Sequence, residues 1–216
     1  MRPDYPKLAQ GFAAAAVVTV LPLAGNPAML AAPQVWVLFA IGVLATQFQP
    51  RYNPFGRPPD AKDRGTAKQI VWSVYVTQVA ALVEAAYFRY PASAAWDGIA
   101  MAALVPMVAG LWLRTWGVRT LGRSFTWHIA AEPQQTVARS GPYRFVRHPG
   151  YLGAFLTYGS TAVFFHAWTV LAPSLVVLLF AFLRRIHYEE KELLAALGEN
   201  YASYCRSVRR FIPWVW

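Results

Sequence analysis

The sequence predicts an all-α, polytopic membrane protein with about six transmembrane helices. Three observations carry that reading: an apolar composition, the length of the apolar segments, and the side on which the positive charge falls. Of the 216 residues 56% are hydrophobic and 14% are charged, against about 25% charged in a soluble domain. The apolar residues gather into six stretches, 8–25, 33–48, 69–88, 94–113, 151–168 and 169–183. Each approaches the roughly 20 residues that a spanning helix needs. Nineteen of the twenty lysines and arginines fall at the N-terminus, in the 49–68 loop, in the 114–147 segment or in the tail from Arg184 onward. With six spans these all share one face, and Arg89 alone lies opposite. The positive-inside rule then places both termini and the polar motifs in the cytoplasm, at a bacterial-type inner membrane or an equivalent one.

Topology also accounts for the net charge of +10. Basic juxtamembrane segments meet anionic headgroups, so membrane lipid is the expected partner and nucleic acid is not. The first stretch reads as a retained span, because no small-residue cleavage site is followed by a soluble domain. One cysteine, Cys205, excludes an intrachain disulfide and a cysteine metal cluster. The four histidines, His128, His148, His166 and His187, have no metal-ligand spacing, and no metal is expected.

The length fits a single domain, in which 1–113 read as a scaffold of four spans and 114–216 carry the motifs. The 49–68 loop is rich in Pro, Gly and charge, as an exposed connector is. Small residues in the third and fourth spans, among them Ala80, Ala81, Ala102, Ala103 and Gly110, favour close helix packing. Glu84 lies near the outer end of its span and is expected to reach the interface there. Trp72, Trp96, Trp112, Trp116, Trp168, Trp214 and Trp216 fall near span ends, as interfacial aromatics do. Trp112, Trp116 and Arg119 recur at helical spacing, so the fourth helix should run past the membrane until Leu121-Gly122-Arg123-Ser124-Phe125 breaks it. The fifth and sixth stretches, joined around 166–169, should form a helical hairpin. After Arg185 an amphipathic helix is expected, with Leu193, Leu197, Tyr201, Tyr204 and Val208 on one face and Gly198 ending or bending it.

Two polar runs stand out between the apolar segments. The first is Gly141-Pro142-Tyr143-Arg144-Phe145-Val146-Arg147-His148-Pro149-Gly150-Tyr151-Leu152-Gly153, and the second is Arg185-Ile186-His187-Tyr188-Glu189-Glu190. Charge beside a bilayer is costly and usually functional, so the two runs read as walls of one site at the membrane surface. Pro149 biases His148 toward an extended backbone and suits the first position of the fifth span. Such a turn offers backbone donors and an imidazole to a small polar ligand, or anchors to phospholipid phosphate. Arg185 and Glu189 are spaced for an i,i+4 pair. Alternatively, Arg185 meets a carboxylate or phosphate with its fork geometry. Glu189 and Glu190 cannot share one pocket on a helix, so one of them is expected to face solvent. No nucleophile–base pair, phosphate-binding glycine loop or metal box is present, which favours a reaction needing little acid–base help, such as attack of an existing anion on an activated methyl group.

Residues 113–216 resemble the C-terminal half of the isoprenylcysteine carboxyl methyltransferase family of integral membrane enzymes. The resemblance is carried by Leu121-Gly122-Arg123-x-Phe125, by Gly141-Pro142-Tyr143-Arg144-x-x-Arg147-His148-Pro149-x-Tyr151-x-Gly153, by Arg185-Ile186-x-x-Glu189-Glu190-x-x-Leu193, by Gly198-x-x-Tyr201-x-x-Tyr204 and by Arg210-Phe211-Ile212-Pro213. It implies a cytoplasmic S-adenosylmethionine site built from the linker after span four, the helical hairpin and the C-terminal helix, so that 114–216 would be the methyltransferase region and 1–113 the substrate side. Carried over by motif, Tyr143, His148, Pro149, Gly150 and Tyr151 would contact the cofactor, Glu189 would hold its polar end, and Arg185 would orient the substrate carboxylate. The family's short stretch before Gly-x-Tyr, often His-x-Leu-Val, reads Gln135-Thr136-Val137-Ala138 here, and backbone contacts are what it would retain. The acceptor implied is lipophilic, an isoprenylcysteine-like carboxylate on a small molecule or a prenylated protein. Three other readings stay open: transfer to a phospholipid amine or a small thiol, an NADPH-dependent sterol-type reductase with a related Arg-His-Pro-x-Tyr turn, and a non-enzymatic lipid-binding scaffold.

Overall fold

Among the described residues, four helices are long and apolar enough to cross a bilayer. The computed structural model describes residues 5–49, 52, 64–127, 129 and 136–211. Helix α1 (Tyr5–Thr19) continues through a 3-10 turn at Leu21–Leu23 and pairs with α2 (Pro33–Gln47). Helix α3 (Thr66–Phe88) packs on α7 (Trp168–Leu197), and α4 (Gly98–Leu121) packs on α5 (Pro149–Gly159). Short helix α6 (Thr161–Phe164) follows α5, and α8 (Glu199–Ser207) follows α7.

The expected six segments are all helical, but not all reach spanning length. With 15 residues α2 is about 22 Å long, against a hydrocarbon core of about 30 Å. The fifth stretch is not one helix: it divides at Ser160 into the 11 residues of α5 and the four of α6. Gln78 of α3 makes that break tolerable. Its amide nitrogen donates to the Tyr158 backbone carbonyl beside the break, and its oxygen accepts from the Thr161 hydroxyl, so the polar groups there are paired in an apolar setting.

The amphipathic tail helix also differs from expectation. The helix of the sixth stretch does not stop at Arg185 but runs 30 residues, about 45 Å, to Leu197. Gly198, at φ 53°, ends it and starts α8. Gly122, at φ 55°, stops α4 in the same way, where the sequence expected the break. Both need the left-handed backbone that glycine adopts without cost.

Glu84 is buried rather than reaching the interface. Its carboxylate accepts from the Thr169 and Val170 amides, at 3.0 and 2.8 Å, and pairs with Arg89. It thus caps the N-terminus of α7 from a neighbouring helix, where negative charge meets the positive end of the helix dipole. An apolar cluster of Leu23, Met29, Val35, Leu82, Met107, Phe164 and Phe165 fills the same half of the bundle. A second, of Ile70, Val74, Ala154, Leu178 and Phe182, joins α3, α5 and α7.

Helices α4 and α5 approach backbone to backbone. A Cβ added at Gly110 would lie 2.4 Å from the Gly153 carbonyl oxygen, and one at Gly153 would lie 2.6 Å from the Arg114 amide. Only glycine fits at both places. The Thr157 hydroxyl donates to the Met107 carbonyl across the same seam. This contact fixes where the N-terminus of α5, and the turn before it, must lie.

Candidate active site

At the arginine-rich end of the bundle a cavity of about 1250 Å³, its open mouth included, lies among α3, α4, the linker, α5, α7 and α8. Its polar wall begins with the turn before α5. Pro149 occupies the first helical position and His148, at φ −124° and ψ 58°, is held out of the helical region. The His148 carbonyl accepts from the Tyr151 and Leu152 amides, so the turn itself uses two donors that the sequence reading left for a ligand.

The two adjacent acids do separate work, and neither is turned to open solvent as expected. Glu190 is buried. It accepts from Arg147 at 2.8 Å, lies 3.1 Å from His148 Nε2, and pairs with Arg210 at 2.8 Å. Arg147 also donates to the Cys205 and Val208 carbonyls, and its amide donates to the Arg209 carbonyl. Glu190 therefore ties the motif turn to the C-terminal segment. One residue earlier, Glu189 faces the cavity, where it accepts from the Tyr151 hydroxyl at 2.6 Å.

Arg185 joins this wall through the same tyrosine. Its Nε donates to the Tyr151 hydroxyl at 3.1 Å, its Nη1 to Thr66 Oγ1 and its Nη2 to the Trp127 carbonyl, both at 2.9 Å. Of the two readings open for Arg185, a pair with Glu189 or a ligand anion, the first takes an indirect form, because Tyr151 bridges the two side chains. The ring of Tyr151 stacks on His148 with centroids 5.8 Å apart.

Of the residues expected from sequence, Thr136, Val137, Ala138, Tyr143, His148, Gly150, Tyr151, Arg185 and Glu189 all line the cavity. Pro149 lies behind it, buried and close to Gly117. Gln135 lies outside the described residues. At Gly150 an added Cβ would meet nothing within 4 Å, so the absent side chain leaves the cavity open at that point. Tyr143 and Tyr204 are raised well above the usual tyrosine range, chiefly by burial. They are neutral hydroxyl donors: Tyr204 donates to the Tyr143 carbonyl at 2.6 Å and so ties α8 to the turn.

Residues 100–195 match the model of the isoprenylcysteine carboxyl methyltransferase family. A probable protein-S-isoprenylcysteine O-methyltransferase of Oryza sativa subsp. indica is 31% identical over 176 residues, covering 80% of this chain and 88% of that one. This chain belongs to the isoprenylcysteine carboxyl methyltransferase family. Over a shorter stretch, 34% of this chain and 28% of the relative, it is 38% identical to a methanethiol S-methyltransferase of Crocosphaera subtropica. A solved structure of a eukaryotic intramembrane Ras methyltransferase shares the fold, with a TM-score of 0.60 at 17% identity over 100% of this chain and 99% of that one.

Methyltransferases of this family generally draw on S-adenosylmethionine, and the cavity suits such a group. It presents the carboxylates of Glu189 and Glu192 for cationic or hydroxyl-bearing parts, and the rings of Phe125, Trp127 and Tyr143 for a planar base. The sequence reading passed over several wall residues. Ala67 and Ile70 of α3 belong to what it took for scaffold, and Arg114 was counted only as loop charge. Tyr201 and Tyr204 were seen as a helix face without a destination. One signal was present for Arg114: an arginine at the end of an apolar helix beside the motif-bearing linker.

Proposed function

We propose that this membrane methyltransferase transfers a methyl group from S-adenosylmethionine to a lipophilic acceptor, an isoprenylcysteine-like carboxylate. The observation that carries the reading is the chain Glu189–Tyr151–Arg185, linked at 2.6 and 3.1 Å in the wall of a cavity that also exposes Ile70, Leu121 and Phe125. It sets an acid, a neutral hydroxyl and a cation side by side against apolar surface.

When bound, S-adenosylmethionine supplies an electrophilic methyl group on a cationic sulfur. In the proposal Thr136, Val137 and Ala138 offer backbone groups to it, Gln135 continues that stretch, Gly150 leaves room, and Glu189 holds its polar end. Tyr143, His148 and Tyr151 complete the contact surface, and Pro149 sets the turn that presents them. Arg185, its position fixed by three internal hydrogen bonds, directs positive field at the acceptor's carboxylate. A carboxylate is already anionic, so no residue need accept a proton. The apolar wall excludes water, which favours a step that neutralises charge, and holding the reacting atoms near contact contributes several kcal/mol. Residues 114–216 form the methyltransferase region, with 1–113 supporting it from the substrate side. The cofactor enters from the arginine-rich, cytoplasmic face and the acceptor enters sideways between helices.

A thiol acceptor is the second reading, favoured by the local similarity to a methanethiol S-methyltransferase. Incubation of the purified protein with methyl-labelled S-adenosylmethionine and either an S-prenylated N-acetylcysteine or a short alkyl thiol separates the two. Label in a base-labile ester on the prenylated carboxylate is expected. Label only in a thioether would replace the carboxylate with the thiol.

A further inference from the structure

Arg64, Lys68 and Arg184 gather where α3 begins and α7 leaves its apolar stretch, and none of them lines the cavity. The guanidinium carbons of Arg64 and Arg184 lie 4.9 and 5.4 Å from the centroid of one ring, that of Tyr188. Arg184 Nη1 donates to Gln69 Oε1 at 2.5 Å and its Nη2 to the Arg64 carbonyl at 3.1 Å, which holds the two arginines together. Lys68, exposed in the first turn of α3, stands next to Gln69. All of these partners are neutral. Among the described residues no carboxylate pairs with Arg64, Lys68 or Arg184. The acids of α7 nearby are engaged elsewhere: Glu190 is enclosed by Arg147, His148 and Arg210, and Glu189 and Glu192 line the cavity. Cation–π contact favours each guanidinium but cancels no charge, so like charges stand together without a counter-charge.

Helix geometry gives the depth of this cluster. Counted from Trp168, where α7 begins, the helical rise puts Arg184 and Tyr188 about 24 and 30 Å along the axis. Counted from Phe88, at the other end of α3, Lys68 lies about 30 Å away. Both distances match the hydrocarbon thickness of about 30 Å, so the cluster sits at headgroup level. One turn toward the bilayer centre the character changes. Trp72 follows Lys68 by four residues and Phe180 precedes Arg184 by four, and both are exposed, at 37% and 61%. Helices α3 and α7 pack on each other, so one surface carries cations above and bare apolar side chains below.

We infer that this surface binds an anionic phospholipid, its phosphate on Arg64, Lys68 and Arg184 and its acyl chains against Trp72 and Phe180. The guanidinium fork meets phosphate oxygens in pairs, and cations at this depth attract anionic lipid. A zwitterionic headgroup brings its own ammonium to the cluster and is the poorer match. A soluble phosphate finds the same cations but makes no use of the apolar surface beneath them.

Native mass spectrometry of the full chain released from detergent tests this, with dioctanoyl phosphatidylglycerol and dioctanoyl phosphatidylcholine as probes and inorganic phosphate as competitor. The wild type should bind phosphatidylglycerol at least about tenfold more tightly than phosphatidylcholine. Equimolar inorganic phosphate should not displace it. Arg64→Gln, a change at an exposed side chain, should weaken phosphatidylglycerol by at least about fivefold, and Arg64→Gln with Arg184→Gln should bring the two lipids level. Arg209→Gln, which removes the same charge from an exposed site elsewhere, should leave the preference unchanged. Equal binding of the two lipids by the wild type overturns the inference without any variant. So does a preference that survives both substitutions, or one that Arg209→Gln lowers as much as Arg64→Gln. Displacement by equimolar inorganic phosphate overturns it too, and makes the cluster a site for soluble anions.

Discussion

At the scale of residues, neighbouring side chains of the same type divide between structure and ligand. Glu190 is enclosed by Arg147, His148 and Arg210, whereas Glu189 looks into the cavity. Removing Glu190 leaves buried positive charge unbalanced, so Glu190→Ala should destabilise the fold by about 3 kcal/mol, read as a lowered thermal midpoint. Glu189→Gln should leave that midpoint in place and weaken S-adenosylhomocysteine by roughly tenfold or more in a calorimetric titration, the loss of a charged hydrogen-bond acceptor. If both variants melt early and bind normally, the division is wrong. Gly150→Leu is the steric counterpart. Its side chain would enter open space, so melting should be unchanged while binding falls by at least about tenfold. The sequence made Glu189 legible through its motif but misjudged Glu190, because helix geometry says that two adjacent residues diverge and not what each will meet. Arg147, 43 residues upstream, together with His148 and Arg210 decided that. Arg114 was illegible for a similar reason. Its partners, the Gly150 carbonyl and Gln49 Oε1, come from distant parts of the chain, and no local pattern records them.

At the scale of elements, the seam between α4 and α5 places the site. Gly153→Ala would put a methyl group 2.5 Å from the Gly110 carbonyl oxygen and 2.6 Å from the Arg114 amide. Both are backbone atoms, so the helices must part. We expect a loss of about 1–3 kcal/mol in stability, accompanied by weaker S-adenosylhomocysteine binding because the α5 turn moves with the helix. Unchanged melting would show that the seam is looser than drawn. Helix stops were readable in advance, since Gly122 and Gly198 occur where apolar periodicity ends. The break at Ser160 was not, because an uninterrupted apolar run gives no sign that Gln78, on a distant helix, will pair with the Tyr158 carbonyl and the Thr161 hydroxyl beside it. The continuation of α7 past Arg185 was missed for a related reason. A polar stretch beside a membrane resembles a new amphipathic helix whether or not the chain bends before it.

At the scale of the whole molecule, the all-helical membrane architecture was legible because bilayer thickness and backbone hydrogen bonding leave few alternatives. Charge asymmetry adds a direction, which labelling in intact cells can check. In a Cys205→Ser background, Ala95→Cys should react with an impermeant maleimide from outside, and Lys191→Cys only after permeabilisation. Reaction of Lys191→Cys in intact cells would invert the topology. The central claim is that the cavity joining the two motif runs is an S-adenosylmethionine site, and direct ligand titration of the purified protein tests it. S-adenosylmethionine, S-adenosylhomocysteine and NADPH should be compared side by side. The account predicts micromolar binding of both adenosyl ligands, abolished in Gly150→Leu, and no binding of NADPH. Binding of NADPH alone would contradict it and leave the roles given to Glu189 and Gly150 without support.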